Sequence, residues 1–353
     1  MQKIIINGDF LCRNLTGIER FAFEICKHLD NLIEKNQISI YIPCNVKTIP
    51  KYKNIKIIFS KKECKVFPLW EHFEFGNFVK KNKYTPLDFS NVTPIGTKGM
   101  VFIHDIYAKL YPQDFSHFRD KLINVYMCLM YKYAVKHAKV IFTVSEFSKN
   151  QICSTYKVSP NKIFVIPNGW DHFKEIQPDD SIIKNYPKLQ KDFYFTLGSL
   201  SQRKNLKWVA EYAKKNPNVN FAISGKMLSG LVPQELEVLK SLDNVILLGY
   251  VSDEQVKALM QKSKAFVFPS YYEGFGIPPL EALSCGTKII VSNAACLPEI
   301  YDNSAYYIDP DDTNVNLDEL ISKKIGSPNN ILEKYQYKNS AKILYKIINE
   351  HIN

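Results

Sequence analysis

No run of about eighteen residues is both apolar and free of charge, so the sequence holds no helix long enough to cross a bilayer. The first ten residues also lack the apolar core and small-residue cleavage site of a secretory signal. Lys3 is followed at once by Ile4, Ile5 and Ile6, which read as a first strand. The eight cysteines, at 12, 26, 44, 64, 128, 153, 285 and 296, form no Cys-x-x-Cys and stand beside no histidine pair. That argues against a zinc site, a redox motif or a disulfide framework, and the expectation is a reduced, cytoplasmic protein. The Asn-x-Thr sequons at Asn14 and Asn91 are then chance matches. No repeat of solenoid length is present. Acidic residues are scarce in the first half: residues 1–170 hold 13 against 25 Lys and Arg, whereas 171–353 hold 22 against 21. The whole formal excess of +11 therefore belongs to the first half, which suggests that one domain meets something anionic. Nucleic acid is disfavoured, because no known binding motif and no basic strip interleaved with aromatics is present. An anionic membrane surface, or a lysine-rich surface with no partner, is left.

What is there is a chain of 353 residues, 46% of them hydrophobic, enough for two globular cores. Short runs rich in Val, Ile and Phe alternate with helix-like stretches. Ile4–Ile6, Ile38–Ile42, Ile55–Phe59, Met100–Ile103, Val140–Val144 and Ile163–Ile166 read as strands in the first half. Phe193–Leu197, Val219–Ile223, Val245–Leu248, Ala265–Phe268 and Lys288–Val291 do so in the second. Such runs belong to parallel sheets buried on both faces, and the pattern occurs twice. The fold class is α/β, with two Rossmann-like, doubly wound parallel-sheet domains. The turn signal Ile166-Pro167-Asn168-Gly169 places the boundary, giving 1–170 and 171–335, with a helix at 336–353 that packs back on the first domain. The stretch His117–His137 has helical periodicity, with Leu122, Val125, Tyr126, Leu129, Met130 and Tyr133 on one side. A core helix is expected, with a membrane-skimming helix as the alternative.

Two segments carry chemistry. The first runs Pro269-Ser270-Tyr271-Tyr272-Glu273-Gly274-Phe275-Gly276-Ile277-Pro278-Pro279-Leu280-Glu281-Ala282 after a buried strand. A Gly-rich turn entering a helix at the carboxyl end of a parallel strand places orphan amides and a helix dipole where diphosphate and sugar oxygens can bind. Gly274 and Gly276 leave room for a ligand to approach the backbone, and Glu273 and Glu281 can accept from sugar and ribose hydroxyls. The second runs Leu197-Gly198-Ser199-Leu200-Ser201-Gln202-Arg203-Lys204-Asn205-Leu206, where Arg203 and Lys204 sit at a strand's carboxyl end, a place suited to a diphosphate leaving group. Ser145 reads as a helix cap as readily as a site residue, His104 beside Asp105 as a satisfied core histidine, and Tyr271 and Tyr272 as packing. Asp309-Pro310-Asp311 has the look of a metal-binding Asp-x-Asp, yet acidic, proline-rich loops are common.

Together these segments resemble the retaining glycosyltransferases of the GT-B fold, the glycosyltransferase group 1 family. The match extends through Leu15-Thr16-Gly17-Ile18-Glu19-Arg20, Ile103-His104-Asp105-Ile106, Thr143-Val144-Ser145-Glu146-Phe147-Ser148, Ile166-Pro167-Asn168-Gly169 and Leu248-Gly249-Tyr250-Val251-Ser252, in order along most of the chain. The resemblance implies two domains facing across a cleft and transfer of a hexose-type sugar from a nucleotide-diphosphate donor to a glycan or lipid-linked acceptor. Configuration would be retained, no metal or other cofactor is implied, and synthesis of a cell-surface polysaccharide is the expected setting. Arg203 and Lys204 would neutralise the donor diphosphate. Gly17 would bring its backbone close to the phosphates, and Glu281 would hold the ribose. Glu273, with the amides of Gly274, Phe275 and Gly276, would hold the sugar. Tyr250, Val251 and Lys226 would lie near the base, and His104 would face the transferred sugar. A phosphorylase, an epimerase or a non-catalytic nucleotide-sugar-binding protein on the same fold are the alternatives. The sequence departs from the family at Lys288, where proline is usual, and at Tyr301-Asp302-Asn303, which lacks a common glycine.

Overall fold

The computed structural model describes residues 3–15, 17–198, 201–225 and 234–352, with the backbone alone for 234–236 and 352. The chain divides into two compact units, one made of Met1–Gly169 and Tyr335–Asn353, the other of Trp170–Lys334.

In the first unit the strands are β1 (Ile4–Asn7), β2 (Ile38–Ile42), β3 (Lys56–Phe59), β4 (Thr85–Asp88), β5 (Met100–Phe102), β6 (Val140–Thr143) and β7 (Ile163–Val165). They form one parallel sheet in the order β3-β2-β1-β4-β5-β6-β7. In the second unit β8 (Phe193–Leu197), β9 (Asn220–Ser224), β10 (Val245–Gly249), β11 (Ala265–Phe268), β12 (Ile289–Ser292) and β13 (Tyr306–Ile308) are parallel in the order β10-β9-β8-β11-β12-β13. Each sheet reverses its winding once, between β1 and β4 and between β8 and β11. In open α/β sheets, ligands bind outside the carboxyl ends of the strands at such a reversal. The central strands are buried along their whole length, as unbroken Ile, Val and Phe runs require.

Two strands depart from the sequence reading. Thr85–Asp88 carries Pro86, which gives no N–H to a ladder, so a short proline-bearing run reads as a loop. Its complete burial between β1 and β5 keeps it extended. Tyr306–Ile308 has only three residues, too short a run to stand out along the chain. The helix Phe118–His137 also corrects an expectation. Its core face is Asn124, Met130, Tyr131, Ala134 and Val135, and Asn124 Nδ2 donates to the Ala108 carbonyl at 2.5 Å. Leu122, Val125 and Leu129, the side expected to face inward, are more than half exposed.

The expected tail helix from Ile331 is broken into Asn329–Lys334 and Tyr337–Ile352, and the break coincides with the boundary between the units. Tyr337, Ala341, Leu344 and Ile348 are fully buried in the core that holds Phe21, Ile25 and Leu29 of the helix Ile18–Leu29. Burying a large apolar side chain of this kind stabilises by roughly 1.5–3 kcal/mol, so the tail is a structural part of the first unit.

Candidate functional site

At the reversal between β8 and β11, two loops are brought together. After β8 the chain makes a tight turn over Gln202–Lys204, and Asn205 at φ 55° leads into the helix Leu206–Lys215. Asn205 Nδ2 bonds the carbonyls of Pro269 (3.1 Å) and Pro310 (2.8 Å), and the Tyr271 amide donates to the Arg203 carbonyl at 3.0 Å. These bonds hold the Arg203–Lys204 turn against the segment after β11. Lys204 Nζ reaches Glu273 Oε1 at 2.6 Å, and Arg203 Nη1 reaches Glu273 Oε2 at 3.4 Å. The Lys204 stem lies along Gly198, where an added Cβ would sit 3.3 Å from its Cε, and Nζ stands 4.6 Å from the centre of the Phe268 ring. Glu273 is 5% exposed. Burial pushes its carboxyl up, but the charges of Lys204 and Arg203 outweigh that, and the net effect holds it below the usual range. An ionised carboxylate with two cations at a sheet's switch point makes an ordered polar site beside solvent-reachable positive charge.

Glu281 is not part of that trio. It lies in the helix Ile277–Ser284 and accepts from His172 Nε2 at 3.0 Å, a histidine that sequence reasoning missed. The signal was faint, since a lone histidine after a turn has no spacing to mark it. Gly276 corrects the reading given for it. At φ 87° it caps that helix, and an added Cβ would lie 2.7 Å from Leu297 Cδ2. Its carbonyl accepts from the buried Tyr301 hydroxyl. The absent side chain at Gly276 is thus required by backbone conformation and by packing on Leu297, so the missing Cβ is accounted for by protein and not by room for a ligand. Gly274 and Phe275 lie in the same turn, with Phe275 buried. Val251 is buried after β10 and Tyr250 is 72% exposed. Lys226, expected near the base, lies outside the described residues.

Gly17 and His104 belong to the first unit. Gly17, at φ 52° and ψ −111°, caps the helix Ile18–Leu29, and an added Cβ would meet nothing within 4 Å among the described residues. The backbone, not crowding, demands glycine there. His104 follows β5. Its Nε2 donates to the Phe89 carbonyl at 2.9 Å and its ring packs against Phe21 and Phe102. Burial pushes its pKa down to about 4, so the ring is neutral near pH 7 with Nδ1 as its acceptor. Ser145 caps the helix Glu146–Tyr156, its Oγ accepting from the Ser148 amide. The Asp309–Asp312 loop serves packing: the carbonyls of Asp309 and Asp312 accept from Trp208 Nε1, and the Asp309 carboxylate caps the Asp311 amide.

A second polar cluster went unseen in the sequence because its members are far apart there. Asp9, Glu71 and Asp88 are buried at the carboxyl ends of β1 and β4, the other reversal point. Asn7 Nδ2 donates to Glu71, and Trp70 Nε1 donates to Asn7 Oδ1 at 2.9 Å. Burial pushes all three acids up, Asp9 to about 6, and repulsion from the neighbouring acids adds to it at Glu71 and Asp88. Among the described residues no group of three His, Cys, Asp or Glu side chains could hold a metal ion.

Residues 179–341 match the family model described as Glycosyl transferases group 1, and residues 15–172 match that described as Glycosyltransferase Family 4. The chain is 30% identical over 271 residues to the O-antigen chain mannosyltransferase RfbU of Salmonella typhimurium, covering 74% of this chain and 72% of that one. It is 28% identical over 349 residues to O-antigen chain mannosyltransferase B of Escherichia coli, covering 88% of each. Among solved structures it is similar to Anabaena Alr3699/HepE in complex with UDP-glucose, with a TM-score of 0.71 at 14% identity over 99% of this chain and 100% of that chain.

Proposed function

The chain belongs to the group 1 glycosyl transferases, on the GT-B fold, and from that premise we propose that it moves a hexose-type sugar from a nucleotide-diphosphate donor to a glycan or lipid-linked acceptor. Configuration at the anomeric carbon is retained, no metal takes part, and the product is a bacterial cell-surface polysaccharide. The relatives named as O-antigen mannosyltransferases support the setting. The observation that carries the donor side is the convergence of Lys204 and Arg203 on Glu273 where β8 and β11 diverge.

In this reading Lys204 and Arg203 take the diphosphate. As the bond from the anomeric carbon to the phosphate oxygen breaks, that oxygen gains charge, and the two cations stabilise it where a metal serves other transferases. The acceptor hydroxyl attacks from the same face, and the departing phosphate takes its proton. Glu273 and the turn Gly274–Gly276 hold the sugar, Glu281 the ribose, and Tyr250 and Val251 lie toward the base, where Lys226 is assigned by resemblance alone. Gly17 and His104 are assigned to the phosphates and the transferred sugar by resemblance. A thermal-shift panel of uridine, guanosine, thymidine and adenosine diphosphates tests the donor side. One of them at 100 times its dissociation constant should stabilise the protein by about 2.7 kcal/mol; no shift with any would sink the reading. Nucleotide release that depends on an added glycan acceptor separates a transferase from a phosphorylase, an epimerase or a binding protein.

We further propose that the first unit docks on an anionic bilayer from the cytoplasmic side. Phe118, Leu122, Val125 and Leu129 form one stripe on the helix Phe118–His137, exposed by 79%, 56%, 57% and 57%. Exposed Lys132 and Lys136 continue that stripe at the same spacing. Apolar residues followed by lysines on one face suit the headgroup boundary of anionic lipid. The double variant Leu122→Asp, Leu129→Asp should lose co-flotation with phosphatidylglycerol vesicles while keeping its melting temperature. Equal recovery of wild type and variant would count against docking.

A further inference from the structure

His172 sits where nothing in the family resemblance places a ligand-handling group, and it holds the carboxylate on which the ribose assignment rests. The ring is almost wholly enclosed, with 3% of the side chain exposed. Its backbone is pinned on both sides. Trp170 Nε1 donates to the Leu332 carbonyl at 2.8 Å. On the other side Phe173 is buried, and Lys257 Nζ bonds the carbonyls of Phe173 at 3.0 Å and Ile176 at 2.7 Å. The imidazole therefore has one place to be, and from it Nε2–H donates to Glu281 Oε1 at 3.0 Å.

That bond has a specific consequence. Glu281 extends from a helix through three rotatable bonds, and a carboxylate so mounted can present its oxygens in many orientations. A pair of vicinal hydroxyls needs one of them. With Oε1 bonded to a fixed ring, the carboxylate plane is set before any ligand arrives, much as a histidine that ligates a metal is oriented by its outer partner. The contact sets the tautomer: a carboxylate oxygen accepts, so Nε2 carries the hydrogen.

We propose that His172 is a positioning residue for the donor: it orients Glu281 to receive the two ribose hydroxyls, and so makes the site selective for a ribonucleoside diphosphate over its deoxy counterpart. This rests on the assignment of Glu281 to the ribose, and the test separates the two. The probe is whichever of uridine, guanosine and adenosine diphosphate binds wild type, compared by calorimetry with its 2′-deoxy form on the full chain; binding of thymidine diphosphate alone, already a 2′-deoxynucleotide, would overturn the proposal. Wild type should bind the ribo form at least tenfold more tightly. His172→Phe, which keeps the ring volume and removes the donor, should weaken ribo binding about tenfold and shrink the ribo-over-deoxy preference to within about twofold. His172→Gln, whose amide nitrogen can donate to Glu281, should recover most of the preference. In turnover, His172→Phe should raise KM for the donor sugar with kcat within about twofold of wild type.

Glu281→Ala is the control for the underlying assignment. If it keeps the ribo preference, the ribose assignment falls and the proposal with it. If Glu281→Ala abolishes the preference while His172→Phe keeps it, the positioning role alone is overturned. Should His172→Phe fail to fold, His172→Leu, which also removes the donor, carries the test: a positioning role predicts loss of the ribo-over-deoxy preference, whereas a role confined to packing predicts ribo and deoxy binding weakened equally.

Discussion

At the scale of single residues, Lys204 is the sharpest case. It bonds a buried carboxylate at 2.6 Å and its stem is laid along Gly198 by the turn after β8. Its charge is positioned in advance, which is what makes such a group effective when negative charge develops. Lys204→Ala should lower kcat at least a hundredfold, with a melting temperature within a few degrees of wild type, as checked by sugar-transfer kinetics and calorimetry. Retention of full turnover would remove Lys204 from the diphosphate. Asp302 makes a different point. It occupies φ 42° and ψ −123°, a conformation natural to glycine, at a place where the family often has glycine. Non-glycine residues held in such regions cost about 1–3 kcal/mol. Its carbonyl, which accepts from the Tyr307 hydroxyl at 2.6 Å, survives substitution. Asp302→Gly should therefore raise the melting temperature by about 2–4 °C for each kcal/mol regained. A lower melting temperature would show that the aspartate side chain contributes more than its strained backbone costs.

At the scale of elements, the buried acids at the ends of β1 and β4 couple stability to pH. Their folded-state pKa values lie above the unfolded carboxylate range, that of Asp9 at about 6. Groups raised in this way bind protons more tightly when folded, so stability is greatest below an unfolded pKa of about 4 and declines as pH rises through the folded values. For this cluster the decline should run from about pH 4 through pH 6, the value for Asp9, with Glu71 and Asp88, also raised, adding to it. Asp88→Asn keeps the shape and removes one of the three acids. It should flatten the fall of melting temperature between pH 5 and pH 8 and raise the value at pH 8. An unchanged slope would mean that these acids exchange no protons on unfolding.

At the scale of the whole molecule, the chain crosses from one unit to the other and returns, so its pieces are unequal in independence. The second unit is continuous from Trp170 to Lys334 and contains Arg203, Lys204, Glu273, Glu281 and His172. Expressed alone, residues 170–334 should fold and bind the nucleoside diphosphate with an affinity within about tenfold of the full chain, measured by calorimetry. Residues 1–169 alone should not fold cooperatively. Without Tyr337, Ala341, Leu344 and Ile348, the apolar faces of Phe21 and Ile25 would be open to water. A cooperative melt of 1–169 without the tail would overturn this account of the core.

Much of this was written along the chain. Unbroken runs such as Met100–Phe102 and Ala265–Phe268 announce buried parallel strands, because only a strand covered on both faces is apolar at every position. The turn signal at Pro167–Gly169 marks the crossing, and the order of local motifs was enough to resemble the family, since each motif sits within one loop. Other features depend on residues that meet only when the chain is folded. Glu281 and Lys204 each offer a charge in sequence, yet only the packed loops decide that Lys204 goes to Glu273 and that Glu281 goes to His172, 109 positions away. The helix Phe118–His137 has apolar residues on more than one side, and its sequence leaves open which side the core takes. The buried bond from Asn124 to Ala108 and the seating of Tyr131 and Ala134 settle it, turning Leu122 and Leu129 outward. Local propensity and burial periodicity are properties of a segment, whereas partner choice and facing are set by the surfaces a segment meets.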